Sequence, residues 1–209
     1  MPLEIRPITE ADLREFIDIT AKAFAGTLVS LLNPQLSEEG IQRQIAKNTK
    51  SMREEPDCHL LKVVDTELDD KIVACAKWRI NEKERTEEQI QNMLPQPNRE
   101  TDSAVSIELQ EYLSRMRMKY MGTKPFVFLH LLVVHPEHQR RGAGAMLLQW
   151  GVDKADELKL PAFLESSDAG KALYTKFGFE AHEVTSWDNT KYGLEGVTTN
   201  SAMLRSPRA

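Results

Sequence analysis

Apolar and polar residues change their spacing abruptly within residues 126–158. Residues 126–134 contain one polar position, His130, among β-branched, aromatic and aliphatic types, which predicts a buried strand. Pro136 has no N–H to offer to a sheet and so ends the strand. From Gly142 onward, apolar residues recur at helical spacing, at Met146, Leu147, Trp150, Val152 and Ala155. The pattern therefore predicts a strand, a short polar loop and a helix.

The residues before this stretch also show helical and strand patterns. Residues 3–6 predict a short strand, and a helix follows that Thr9 caps, with acidic residues in its first turn. A second helix is predicted at 37–53. Residues 59–65 and 71–80 alternate as the two strands of an antiparallel hairpin, with an acidic turn between them.

A highly charged insertion, residues 81–124, precedes the central strand. Pro95 and Pro97 interrupt its first half, which is typical of a loop or a frayed helix. Residues 103–120 carry apolar side chains at helical spacing and predict a helix. Such an insertion usually covers a site or makes a subunit contact, and the sequence leaves both alternatives open.

Residues 161–204 are predicted to form three strands and one helix. Residues 161–165 predict a short buried strand, and Ser167 or Asp168 caps the helix that follows. Residues 179–187 and 198–204 predict two closing strands. This order indicates an α/β fold, in which a mixed, twisted sheet of about seven strands is flanked by helices on both faces.

Length, charge and cysteine content narrow the class of protein. The chain has 209 residues, of which 41% are hydrophobic, and residues 1–209 are therefore expected to form a single domain. The net charge of −5 argues against a general nucleic-acid binder, which would show a basic face. No apolar run reaches about 18 residues, so no membrane span is expected. Cys58 and Cys75 lack metal-site spacing and are expected to be free, buried thiols, which fits a cytoplasmic protein.

The loop after the central strand has the composition of a phosphate site. The segment Gln139-x-x-Gly142-x-Gly144 joins the strand to the N-terminus of the predicted helix. Backbone N–H groups at a helix N-terminus favour negative charge, and glycines let a diphosphate approach the backbone closely. The spacing matches neither a Walker loop nor the three-glycine dinucleotide fingerprint.

With this loop, the chain resembles the GNAT superfamily of N-acetyltransferases. The later sequence Leu173-Tyr174-x-x-Phe177-Gly178-Phe179 strengthens the resemblance, which extends over about 126–184. The resemblance implies the GNAT fold and acetyl-CoA as co-substrate, with no metal. It assigns cofactor binding to Leu132, Val133, Val134, Gln139, Arg140, Arg141, Gly142, Ala143, Gly144, Ala145, Ser167 and Tyr174.

The same resemblance implies catalytic roles. Tyr174 matches the family's general acid, which protonates the departing thiolate; the alternative is a tyrosine that only packs on the cofactor. His130 lies where arylalkylamine N-acetyltransferases carry one of two histidines that deprotonate the amine, and Phe128 stands where the second would be. A core histidine without catalytic role is the alternative for His130. Glu165, at the end of the next predicted strand, is a second candidate base, and the alternative is that it positions the substrate ammonium.

The acceptor is expected to be a small primary amine. In the family, the region after the first helix lines the acceptor pocket, which points to Phe24, Leu28 and Leu31, and Trp78 could border the same pocket; for all of these, packing in the core is the alternative. The chain is expected to act as a monomer or homodimer. A protein or peptide N-acetyltransferase and a non-catalytic acyl-CoA-binding module remain alternative functions.

Overall fold

The computed structural model describes residues 2–27, 29–30, 37–91 and 93–208. The strands in these ranges are β1 (Leu3–Pro7), β2 (Cys58–Asp65), β3 (Lys71–Asn81), β4 (Phe126–Val134), β5 (Ala162–Ser167), β6 (Glu180–Asp188) and β7 (Val197–Arg205). They form one sheet in the order β1-β2-β3-β4-β5-β7-β6. The α-helices are α1 (Leu13–Phe24), α2 (Glu38–Glu54), α3 (Glu87–Gln91), α4 (Ala104–Tyr120), α5 (Ala143–Leu158) and α6 (Asp168–Lys176). Among the helices in the described ranges, none combines the length and the apolar character that a membrane span requires.

The chain forms two compact units, and the first comprises Met1–Ala25, Gln35–Ile80 and Phe128–Lys154. Within it, β2 pairs antiparallel with β1 on one side and with β3 on the other. Asp65, the last residue of β2, lies opposite Leu3 in β1 and Lys71 in β3. The end of β2 is therefore fixed on both sides.

Helices α1 and α2 cover one face of this first unit. Their apolar stripes, including Leu13, Phe16 and Ile41, pack with Leu60 of β2 and Cys75 of β3 in one buried cluster. The stripes follow the spacing that turns one helical face toward a core. Each buried side chain of this size contributes about 1.5–3 kcal/mol relative to an exposed one.

Helix α5 covers the opposite face of the first unit. Trp78 of β3 is completely buried and donates its indole N–H to the Leu147 carbonyl of α5, at 3.2 Å. A Cβ on Gly151 would lie 2.2 Å from the Trp78 ring, so only glycine lets the helix approach this closely. Because strand residues alternate between faces, Cys75 and Trp78 pack against different helices.

The second unit comprises Gly26–Pro34, Asn81–Val127 and Ala155–Ala209. Strand β7 is antiparallel to both β5 and β6. Arg205 of β7 is buried and donates to both carboxylate oxygens of Asp156 and to the Phe177 carbonyl, which ties the ends of α5 and α6 to the sheet.

The insertion is an integral layer of this second unit. Ser103 caps α4 by accepting from the Ser106 N–H, so the predicted helix at 103–120 is confirmed. Tyr112 packs edge-on against Trp187 with ring centres 4.9 Å apart, and Tyr120 stacks on Phe163 at 5.7 Å. Helix α4 thus covers strands β5 and β6.

The predicted fold class, an α/β protein with about seven strands in one sheet, is confirmed. Element boundaries shift by a few residues where pairing extends a strand beyond its apolar positions. The strand predicted at 161–165 continues to Ser167, because Ser166 and Ser167 pair with Ser201 and Asn200. Both cysteines are free, as expected: Cys75 is buried and Cys58 half-buried.

Candidate active site

The phosphate loop predicted from the sequence joins β4 to α5 in the first unit. A short 3-10 turn at Pro136–His138 follows the strand, and the His135 N–H donates to the Val73 carbonyl at 2.9 Å, which holds the start of the loop on β3. Residues 139–142 are exposed, whereas Ala143 and Gly144, which begin the helix, are buried. Residues 139–142 are therefore accessible to a ligand, while both ends of the loop are held by the fold.

The backbone of the loop has the geometry of an anion site. Arg140 has φ 63° and Gly142 has φ 92°, whereas Arg141 between them is not left-handed. Alternation of this kind turns successive N–H groups toward one side, as in known anion-binding nests. The Met146 N–H makes a helical bond to the Gly142 carbonyl at 3.0 Å, so the three N–H groups of residues 143–145 precede the first bond of α5. Together with the helix dipole, they suit a diphosphate.

The arginine side chains of the loop differ in their contacts. The Arg141 guanidinium donates from Nη2 to the Asp65 carboxylate at 2.5 Å, and its Nη1 lies 3.1 Å from Nδ1 of His138. The hydrogen bond from Arg141 lowers the pKa of Asp65, whose side chain is 2% exposed. Asp65 was missed from the sequence because nothing in the spacing of residues 76 positions apart signals a contact.

Three residues beside the loop, His135, Glu137 and His138, hold ligand-type atoms within 4.8 Å of one another. Two cations already approach the imidazoles: the Lys22 ammonium lies 3.4 Å from Nε2 of His135, and the Arg141 guanidinium contacts His138. Burial and the nearby Lys22 charge lower the pKa of His135. This surrounding charge favours an anion over a metal ion.

The residues of β4 divide between two faces. Val133 is buried in the core with Leu131 packed beside it, so Val133 can serve a ligand only through its backbone. Leu132 and Val134 are half-buried. His130 is exposed, and its ring centre lies 5.5 Å from that of Phe128. The exposure of His130 disfavours the alternative of a core histidine.

Tyr174 lies in helix α6 of the second unit, and Ser167, the last residue of β5, precedes that helix. Burial raises the pKa of Tyr174 to about 12, so its hydroxyl is protonated near neutral pH. Its ring lies over Gly170, one helical turn earlier, where a Cβ would come within 2.6 Å of Cε2. Ser167 occupies the N-cap position and is exposed, and its hydroxyl makes no capping bond. That hydroxyl is thus not committed to the helix.

Glu165 is held by a buried ion pair in the second unit. Arg117 of α4 donates from Nε at 2.8 Å and from Nη2 at 3.2 Å to the two carboxylate oxygens, and both side chains are less than a tenth exposed. The guanidinium thus engages both carboxylate oxygens in a bidentate ion pair. This pairing favours a structural role for Glu165.

The residues expected around the acceptor receive little support as a group. Trp78 is completely buried against α5, which matches the packing alternative. Phe24 is half-buried and packs on the core of the first unit. Leu28 and Leu31 lie outside the described residues.

Comparison with known proteins identifies a family. The model of the acetyltransferase (GNAT) family matches residues 26–179. Over 42 residues, the chain is 48% identical to a probable acyltransferase of Ajellomyces capsulatus, a match that covers 20% of this chain and 31% of that protein. The chain thus spans about a third of the length of this curated relative.

Solved structures share the fold at low identity. An arylalkylamine N-acetyltransferase of Aedes aegypti superposes with a TM-score of 0.71 at 10% identity, covering 100% of both chains. A putative acetyltransferase of Salmonella typhimurium, solved with acetyl-CoA, gives a TM-score of 0.62 at 14% identity, covering 100% of this chain and 95% of the other.

Proposed function

Since this chain belongs to the GNAT family of acetyltransferases, we propose that it transfers the acetyl group of acetyl-CoA to the primary amine of a small molecule. The observation that carries the proposal is the exposed loop at 139–142, where left-handed Arg140 and Gly142 lead into the free N–H groups of α5. Backbone donors of this kind, at a helix N-terminus, suit a diphosphate.

The residues proposed to hold the cofactor are the loop and the strand before it. The N–H groups of residues 143–145 receive the diphosphate, and Gln139 and Arg140 lie exposed beside them. Leu132 and Val134 are proposed to pair with the pantetheine arm through their backbone, as an added strand would. The exposed Ser167 hydroxyl is proposed as a further hydrogen-bonding group for that arm.

An ammonium substrate loses two protons as it becomes an amide: one goes to a base before attack, and the other, lost as the tetrahedral intermediate collapses, restores the proton that an acid gives to sulfur. The acceptor amine forms the new C–N bond as the C–S bond of the thioester breaks. Exposed His130 is proposed to take the proton from the substrate ammonium, directly or through water, because imidazole is the side chain best suited to accept and release a proton near neutral pH. Glu165 is not proposed for this role, since Arg117 already holds it.

Tyr174 is proposed to return a proton to the departing sulfur. Its hydroxyl is protonated near neutral pH, as a general acid must be. Burial also makes this phenol a weaker acid than an exposed one, so we place its proton transfer late, when negative charge has developed on sulfur. No hydrogen bond from another described residue holds the hydroxyl in place of a ligand.

The acceptor class is tested by thiol release from acetyl-CoA across a panel of arylalkylamines, polyamines, amino sugars, amino acids and lysine peptides. Arylalkylamines come first because an enzyme named for them shares the fold over both chains. Turnover with one class of free amine is the expected result. Turnover confined to peptides would replace the small-molecule acceptor by a protein, and cofactor binding without any turnover would favour a non-catalytic acyl-CoA module.

A further inference from the structure

Asp65 contacts the phosphate loop from a distant part of the sequence. It is the last residue of β2, paired with strands on both sides, and its side chain is almost wholly buried. Its carboxylate accepts from Arg141 at 2.5 Å and from the Glu67 N–H at 3.1 Å. The carboxylate is therefore a fixed point on the sheet, to which one residue of the loop is attached.

The Arg141 guanidinium has a second contact within the loop itself. Its Nη1 lies 3.1 Å from Nδ1 of His138, so one side chain joins the sheet, the 3-10 turn and the loop. On either side of Arg141, the backbone is left-handed at Arg140 and Gly142. A residue other than glycine adopts that conformation only where its surroundings impose it. The anchored Arg141, adjacent in sequence, is a direct restraint on Arg140.

We propose that Asp65 is a positioning residue for acetyl-CoA, holding the phosphate loop through Arg141 in the conformation that turns its N–H groups to one side. The inference rests on the proposed function, because the loop's ligand is taken to be the cofactor diphosphate. It gives Arg141 the role of an anchor for the loop instead of a direct partner of phosphate.

The substitution Asp65→Asn distinguishes positioning from simple electrostatics, because the two predict opposite changes in CoA affinity. Asparagine has nearly the same shape and keeps an oxygen that can accept from Glu67. Loss of a negative charge beside a polyanion's site should by itself strengthen binding. If Asp65 acts by positioning, its substitution instead weakens CoA binding, by about tenfold, as for other coupled neighbours.

The test is the CoA dissociation constant, measured by titration calorimetry for the wild type, Asp65→Asn, Arg141→Gln, Arg141→Lys and the double variant Asp65→Asn/Arg141→Gln. Asp57→Asn is the matched control, since it breaks another arginine pair, with Arg79 at 2.9 Å, away from the loop. We expect similar losses for the first two single variants and little further loss in the double variant. Arg141→Lys should lose affinity as well, because an ammonium keeps the charge but not the two-point contact.

The possible outcomes distinguish failure of the proposed function from failure of the role given to Asp65. Wild type that fails to bind CoA overturns the proposed function. Wild type that binds CoA, with Asp65→Asn binding as tightly or more tightly, overturns the role of Asp65 alone. Wild-type CoA affinity in Arg141→Lys also overturns the role of Asp65. Arg141 is exposed, so this variant provides the test if Asp65→Asn does not fold. In steady-state assays, positioning predicts a raised KM for acetyl-CoA with kcat unchanged at saturation.

Discussion

At the scale of single residues, the proposed general acid depends on a neighbour without a side chain. Side chains of a helix lean toward its N-terminus, so the Tyr174 ring covers the position four residues earlier. That position is Gly170, where a Cβ would lie 2.6 Å from Cε2 and 3.2 Å from Cζ of the ring. The absence of a side chain at Gly170 therefore allows the observed orientation of the phenol.

Gly170→Ala is expected to lower kcat by about tenfold or more, a part of the roughly hundredfold or larger contribution of a positioned general acid. Thermal stability should change little, because the preference of helices for alanine over glycine, about 1 kcal/mol, offsets the cost of shifting the buried Tyr174 ring. Steady-state kinetics and thermal unfolding measure the two effects.

Two controls make this prediction specific. Gly40→Ala places the same change in α2, where its Cβ meets only the Ser37 hydroxyl at 3.4 Å, and should leave kcat unchanged. In a Tyr174→Phe background, Gly170→Ala should have no further effect on kcat. A wild-type kcat in Gly170→Ala would show that the phenol's place does not depend on Gly170.

Residue roles could be predicted from the sequence where chemistry and spacing are local. Gly142 and Tyr174 stand in short motifs, so their positions pointed to a phosphate loop and an acid. Asp65 and Gly170 carry no such signal, because one acts through a contact across 76 positions and the other through the space it leaves. The packing of Trp78 under α5 could likewise not be read from its strand.

At the scale of elements, the insertion helix α4 is bound to the sheet by a buried ion pair as well as by aromatic contacts. Arg117 and Glu165 join α4 to β5 within the second unit. Removal of one partner from a buried pair leaves the other charge without compensation, whereas joint replacement by apolar residues is often tolerated. The pair thus offers a test of whether Glu165 is structural or catalytic.

We expect Arg117→Met alone to destabilise the protein by roughly 3–5 kcal/mol, and the double variant Arg117→Met/Glu165→Leu to recover most of that loss. Urea unfolding measures both. Acetyl transfer by the double variant is expected to continue, because His130 is the proposed base. Loss of turnover in a stably folded double variant would return Glu165 to the list of candidate bases.

Elements were predictable where one face is apolar at a regular period, as in α4 and β4. The ends of elements were less predictable. In β5, Ser166 and Ser167 extend the strand through backbone pairing that polar side chains do not reveal. The place where α4 docks was not predictable, because the partners of Tyr112 and Tyr120 lie in strands far along the chain.

At the scale of the whole molecule, family and fold class follow from the order of elements around one motif. The strand, proline, loop and helix of residues 126–158 lie within the matched family region, 26–179, and the seven-stranded sheet agrees with the prediction. The acceptor could not be predicted to the same depth, because apolar residues that line a pocket and those that fill a core have the same sequence pattern.

The most direct test of the central claim is the rate of thiol release from acetyl-CoA with the best amine of the panel, for wild type, Tyr174→Phe and His130→Ala. Calorimetry with CoA on the same samples checks that the cofactor still binds. Each variant is expected to lose about a hundredfold or more in kcat with unchanged CoA affinity, because each lacks a proton-transfer group. Turnover of Tyr174→Phe and His130→Ala at the wild-type rate would contradict it.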